Sequence, residues 1–278
     1  MICCKESMDI YKIYSYPKAN REMKNIALLI MFLLLSINAF SQDTEDIQIS
    51  YTYLYRSSME QKYPSEKTWL LSLGMNCSSF YPQATTKMMT GEFYEDRWGM
   101  RVYKNIPSNG ELIYRESILT NILYYVEKIP GFQWKSLDGD STVCNYPCQK
   151  AVTTFRGRTW VVWYTMDLPY SDGPWKLCGL PGLILKAEDT KGDFSFTAYK
   201  ITKGLGKEIK ADLKNAVKVK PQDLEQDMDD YMRHPLEYMY SVNKVKADYS
   251  NAPELAPKSR IPCRMESFAK KKNKTQGK

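Results

Sequence analysis

Histidine is nearly absent from this 278-residue chain: the single one, His234, stands directly before Pro235. A Ser-His-acid hydrolase needs an imidazole to shuttle protons, and a zinc-peptidase helix needs two histidines one turn apart. His234-Pro235-Leu236-Glu237 supplies neither pattern. The phosphate-cradling Gly-x-x-x-x-Gly-Lys-Ser/Thr loop is missing, and the 14 glycines do not form a dinucleotide fingerprint, so no cofactor is expected. No internal repeat occurs. Long apolar runs are also missing, with one exception: Ile26–Ile37 is charge-free but too short for a permanent membrane helix.

That run fits the hydrophobic region of a secretory signal. Lys24 provides the positive flank, and Asn38-Ala39-Phe40-Ser41 ends in the small-x-small pattern of a cleavage site, which predicts a mature chain from Gln42. A retained anchor is the competing reading. The expected organisation is a non-native extension over 1–22, a signal peptide over 23–41, a β-rich domain over 42–203, a helical segment over 204–248 and an irregular basic tail over 249–278. The product is expected to be periplasmic or secreted and soluble, with no membrane span after cleavage.

Loss of residues 1–41 removes five basic and three acidic residues, lowering the net charge from +7 to +5. Much of the excess lies in Lys270–Lys278, a run of the solvated kind, so nucleic acid is not an expected partner. Five cysteines follow the cleavage point: Cys77, Cys144, Cys148, Cys178 and Cys263. Export favours disulfides over a zinc site for them, although the odd number leaves one unpaired and spacing does not settle the connectivity.

Ile47, Ile49, Tyr51, Tyr53 and Tyr55 alternate with polar residues, the two-residue period of a half-buried strand. Similar segments at Trp69–Leu73, Trp98–Tyr103, Glu111–Ile118, Ile122–Glu127, Ala151–Phe155, Thr159–Thr165, Leu183–Ala187 and Phe194–Ile201 predict a mainly β fold. The expected form is a curved antiparallel or open, barrel-like sheet. Asp138-Gly139 and Arg156-Gly157 are expected hairpin tips, and the 21 tyrosines are expected mostly as sheet-packing residues. Leu224, Asp227, Met228, Tyr231 and Met232 fall at helical spacing after Pro221. They predict one amphipathic helix that caps the sheet and ends at Pro235.

The stretch Cys148–Asp189 carries the most specific pattern. Gly157-Arg158 leads into Trp163-Tyr164, then Asp172-Gly173-Pro174-Trp175-Lys176, then Gly179-Leu180-Pro181-Gly182-Leu183-Ile184. In order and spacing it resembles the GLPGLI family. The resemblance implies an exported protein of the Bacteroidota with no catalytic residue or cofactor to carry over.

Physically, Leu180-Pro181-Gly182-Leu183 fits a type II turn, with Gly182 supplying positive φ and Gly179 permitting close backbone approach. Leu183-Ile184-Leu185 reads as a strand buried on both faces. Arg158 beside Trp160 or Trp163 suits aromatic stacking or a grip on a carboxylate. Asp167, Asp172, Arg158 and Lys176 would favour an enzyme if they converged in one pocket, and disfavour it if they pointed separately into solvent. Glu92, Glu95 and Asp96 are the candidates for a glycosidase pair, and Ser141 in Asp140-Ser141-Thr142 for an O-linked glycan. Beside a purely structural domain that stabilises a larger complex through the Pro221–Met232 helix, two functional classes are expected to compete. One is a non-enzymatic envelope module that binds a protein, peptide or lipid in a groove lined by Tyr and Trp. The other is an enzyme of unfamiliar design acting on a peptide or saccharide.

Overall fold

The computed structural model describes residues 43–56, 58–83, 85–86, 93–94, 99–242 and 264–268. The extension and signal (1–41), Cys263, the Lys270–Lys278 run, and Glu92, Glu95 and Asp96 lie outside the described residues. Among the described residues fourteen strands follow one another: β1 (Ile47–Tyr55), β2 (Ser65–Leu73), β3 (Ser78–Pro82), β4 (Thr85–Thr86), β5 (Phe93–Tyr94), β6 (Arg101–Lys104), β7 (Glu111–Ile118), β8 (Asn121–Lys128), β9 (Lys135–Val143), β10 (Tyr146–Phe155), β11 (Arg158–Thr165), β12 (Leu183–Asp189), β13 (Phe194–Lys203) and β14 (Ala216–Lys218). Two helices, α1 (Pro221–Arg233) and α2 (Pro235–Val242), come after them.

Twelve strands form one sheet in the order β14-β8-β7-β6-β3-β2-β1-β13-β12-β11-β10-β9, antiparallel except for the β14–β8 pair. The fold is mainly β, as the alternation predicts, and the ladder does not close on itself. It nevertheless has to curl. On a flat sheet β8 and β9 would lie about 48 Å apart, ten strand spacings. The link between them, residues 129–134, reaches roughly 25 Å when fully extended. The curl brings the two sides together, and Arg156 at the end of β10 pairs with Glu127 of β8 at 2.5 Å. Its interior is filled by the inward faces of β1, β2, β11, β12 and β13, including Tyr51, Leu71, Trp160, Leu183 and Phe196.

Turn chemistry partly departs from expectation. Arg156 and Gly157 both adopt positive φ (45° and 84°) and form the β10–β11 hairpin as predicted. Asp138-Gly139 is not a hairpin tip: both residues lie inside β9, and the β9–β10 turn is made by Cys144 and Asn145, with φ of 51° and 67°. Two positive φ values in succession match the hairpin turn whose twist suits the strands, and asparagine tolerates that conformation. Ser141 therefore sits half-buried in β9, opposite Cys148, rather than in an exposed turn.

α1 starts at Pro221, whose fixed φ and missing N–H suit the first helical position. Leu224, Met228 and Tyr231 pack on Ile118, Leu123 and Tyr125 of β7 and β8. Pro235 ends α1 and opens α2. Residues 264–268 have no regular structure but pack back against the sheet and α1, as a strap.

Candidate functional site

The Asp172–Lys176 loop sends two charges into separate interior positions. Asp172 accepts from Lys104 Nζ, from Ser78 Oγ at 2.6 Å and from the Gly173 N–H at 2.6 Å. Lys104, 2% exposed, also donates to the Gly173 carbonyl at 2.7 Å. A Cβ at Gly173 would lie 2.7 Å from that of Ile184, so only glycine lets the loop pack this closely. Pro174 and Trp175 are buried beside it, and Trp175 adopts φ of 54°.

Lys176 is fully buried. Its Nζ donates to Tyr125 Oη at 2.7 Å, Glu127 Oε1 at 2.6 Å and Glu266 Oε1, and lies 4.8 Å from the centre of the Tyr114 ring. Arg156 reaches the same two carboxylates, with Glu266 at 2.6 Å. Burial raises the Glu127 carboxyl, but Lys176 and Arg156 outweigh it and hold the group below the usual carboxylate range. This four-charge seam joins β8, β10, the Lys176 loop and the strap.

Arg158 takes a different set. It binds Asp189 and Asp193, donates from Nε to the Arg264 carbonyl at 2.8 Å and stacks on Phe194 at 4.7 Å. The expected stacking on Trp160 or Trp163 does not occur. Trp160 belongs to the core, and Trp163 is half-buried between Lys150 and Lys186. Arg158, Asp172 and Lys176 thus neither converge in one pocket nor point into solvent; each is spent on internal pairing, while Asp167 is exposed.

The hexapeptide reverses the expected roles of its glycines. Gly179 holds the positive φ, 89°, whereas Gly182 does not. A Cβ at Gly182 would fall 2.1 Å from the Thr165 carbonyl oxygen, so this glycine provides the close approach. Leu180 is buried, Pro181 is exposed, and Leu183 and Ile184 enter β12 fully buried.

Sulfur chemistry is muted. Cys77, Cys144, Cys148 and Cys178 are all free thiols, contrary to the expected disulfides. Two of them are hydrogen-bonded: Cys77 to Asp43, and Cys148 to the Tyr146 carbonyl, to which it donates at 3.4 Å. Burial pushes Cys77 up to about 12 and Cys178 up to about 11 and raises Cys144 and Cys148, which disfavours the nucleophilic thiolate. No metal-ligating cluster occurs among the described residues. No helix among them is long and apolar enough to cross a membrane.

A cavity of about 470 Å³ lies against the curled sheet. Tyr53, Tyr55, Trp69, Tyr114, Tyr125 and Phe194 line it from the strands, and Met100 and Trp175 from loops. Leu224, Met228, Tyr231 and Met232 of α1 and Met265 and Phe268 of the strap complete it. The tyrosines read as sheet packing thus also supply a cavity wall. Within it Glu116 is 7% exposed and accepts from Tyr114 Oη and the Ser117 N–H, both at 3.1 Å. Burial pushes its carboxyl up to about 7, against the opposing pull of those two hydrogen bonds, Arg115 and Lys67.

Residues 149–186 match a family described as "Protein of unknown function (Porph_ging)". The matched stretch contains the Arg158 hairpin, the Lys176 loop and the hexapeptide. No curated protein matches the chain. Among solved structures, a structure of PNGF-II is 20% identical with a TM-score of 0.47, covering 68% of this chain and 33% of its own. The Pseudomonas aeruginosa MucA/MucB complex contains a chain that is 12% identical with a TM-score of 0.31, covering 62% of this chain and 56% of its own. The present chain therefore spans about a third of the length of PNGF-II.

The strap was the main omission of the sequence reading. Arg264, Met265, Glu266 and Phe268 sit in a proline-punctuated, lysine-rich segment with no periodicity, which signals nothing about where it docks. Glu116 was missed because one carboxylate in an alternating strand does not reveal which face it occupies relative to a cavity.

Proposed function

We propose that the chain is an exported, GLPGLI-type binding module of the cell envelope that holds an apolar ligand in the cavity beneath α1 and the strap. The supporting observation is the lining: a volume within the range of small-molecule pockets, roughly 300–1,000 Å³, walled by aromatic rings and methionines. Rings offer large apolar area at little entropic cost, and methionine adapts to irregular shapes. Export rests on the signal-like run before Gln42, and an envelope protein or peptide partner would act through the same surface. Native mass spectrometry of the protein purified from its own envelope, with thiols alkylated, tests the reading. A retained apolar ligand that disappears in Met228→Trp, where an indole fills the cavity, is the expected result; bare protein in both samples counts against it.

One observation favours an enzyme instead. Glu116, titrating near 7 inside a cavity, is suited to proton transfer. The described lining places neither a thiol nor an imidazole beside it: none of the four described cysteines lines the cavity, and His234 lies 3.5 Å from Glu237 at the α1–α2 junction. Turnover of envelope peptides or glycans that Glu116→Gln abolishes would replace the binding reading.

A further inference from the structure

Six charged residues line the cavity, and their partners divide them. Arg264 pairs with Glu225, and Glu266 pairs with Lys176 and Arg156. Arg56, Lys67 and Glu116 have no ion-pair partner among the described residues. Lys67 is placed deliberately by the strand register. It stands directly opposite Tyr53 in the β1–β2 ladder and two residues before Trp69, so it shares the face that lines the cavity. Arg56 follows Tyr55 at the end of β1, and its Nε is buried without a hydrogen-bond partner. An unmatched guanidinium nitrogen costs stability in the free protein and becomes favourable only when an acceptor arrives.

Two cations against one carboxylate leave this part of the lining positive whether or not Glu116 is ionised. Glu116 already accepts from Tyr114 and the Ser117 N–H, and so is less available to a new donor than Arg56 and Lys67 are to a new acceptor. Building on the binding-module reading, we infer that the cavity takes a single-chain amphiphile with an anionic head. The tail lies among the rings and methionines, and the head sits on Arg56 and Lys67. A fatty-acid carboxylate and a lipid phosphate monoester share this chemistry.

The test compares dodecanoate, dodecyl phosphate, dodecanol and dodecyltrimethylammonium below their micelle concentrations, read by tryptophan fluorescence, since Trp69 and Trp175 line the cavity. At least one anion is expected to bind tenfold or more tighter than the ammonium, and which of the two is tighter identifies carboxylate or phosphate as the source. Lys67→Gln, at an exposed position, and Arg56→Gln should each reduce that preference severalfold while leaving dodecanol affinity unchanged. Glu116→Gln should tighten anion binding. Equal affinity for all four heads overturns the inference but leaves the apolar-cavity reading standing, as does tighter binding of the ammonium. Failure to bind any of the four probes overturns both. Unchanged thermal melting of each variant separates lost head-group contacts from lost folding.

Discussion

Two groups of charged side chains, one reaching the cavity through Glu266 alone and the other lining it, are handled oppositely. In the seam, Lys176, Arg156, Glu127 and Glu266 satisfy one another so fully that even a completely buried ammonium has three oxygen acceptors. In the Arg56–Lys67–Glu116 group no such pairing exists, and Glu116 is pushed up to about 7. Compensated buried charge marks a structural joint, because removing one member strands the others; uncompensated charge beside an apolar cavity marks a place left for something else.

The largest expected effect breaks the seam. Lys176→Met should cost roughly 3–5 kcal/mol in urea unfolding, the usual consequence of removing one partner of a buried ion pair. A loss below about 1 kcal/mol would mean that the seam contributes little to closing the curl. Next comes the hexapeptide that holds β12 against the end of β11. Gly182→Ala should lose about 3 kcal/mol by forcing Cβ onto the Thr165 carbonyl. Gly179→Ala meets nothing closer than 3.7 Å and should lose only about 1 kcal/mol through its positive φ. The reverse ranking would restore the type II turn.

Glu116→Gln acts on the unpaired group and has the opposite sign. The folded group titrates near 7, above the ordinary carboxylate value, so the folded form takes up protons more readily than the unfolded one. The wild type should therefore lose stability as pH rises from about 4.5 to about 7. The variant should be more stable by up to about 3 kcal/mol at pH 8, with the advantage gone near pH 4. An advantage that persists at pH 4 would place its cause elsewhere. An effect as small as that of Gly179→Ala belongs to Arg264, partly exposed where the strap meets Glu225 and Asp229 of α1. Arg264→Ala should cost about 1 kcal/mol and increase cleavage of the strap by protease; an unchanged cleavage rate would mean that Glu266 and Phe268 suffice to hold it.

Strands could be read because burial on one face writes a two-residue period: Glu111–Ile118 was bounded correctly and β1 was recognised throughout. β3, with no polar alternation in Ser78–Pro82, and β9, largely exposed with a glycine at its centre, left no such trace. The Asp172–Lys176 loop was legible as a pattern but not as two separate ion pairs. Lys104 and Glu127, which answer its charges, lie 68 and 49 positions away. Nor could composition tell an inward Lys67 from an outward one before its register opposite Tyr53 was known. Local chemistry was readable, whereas every feature that depends on the curl was not.

The strap follows every described strand and both described helices in the sequence, yet it supplies Glu266 to the seam and Met265 and Phe268 to the cavity wall. A chain made from its amino end therefore completes the sheet before it can complete the enclosure. Until those last residues dock, the aromatic face stays unroofed, so the order of the chain makes the roof the last part of the cavity that can form.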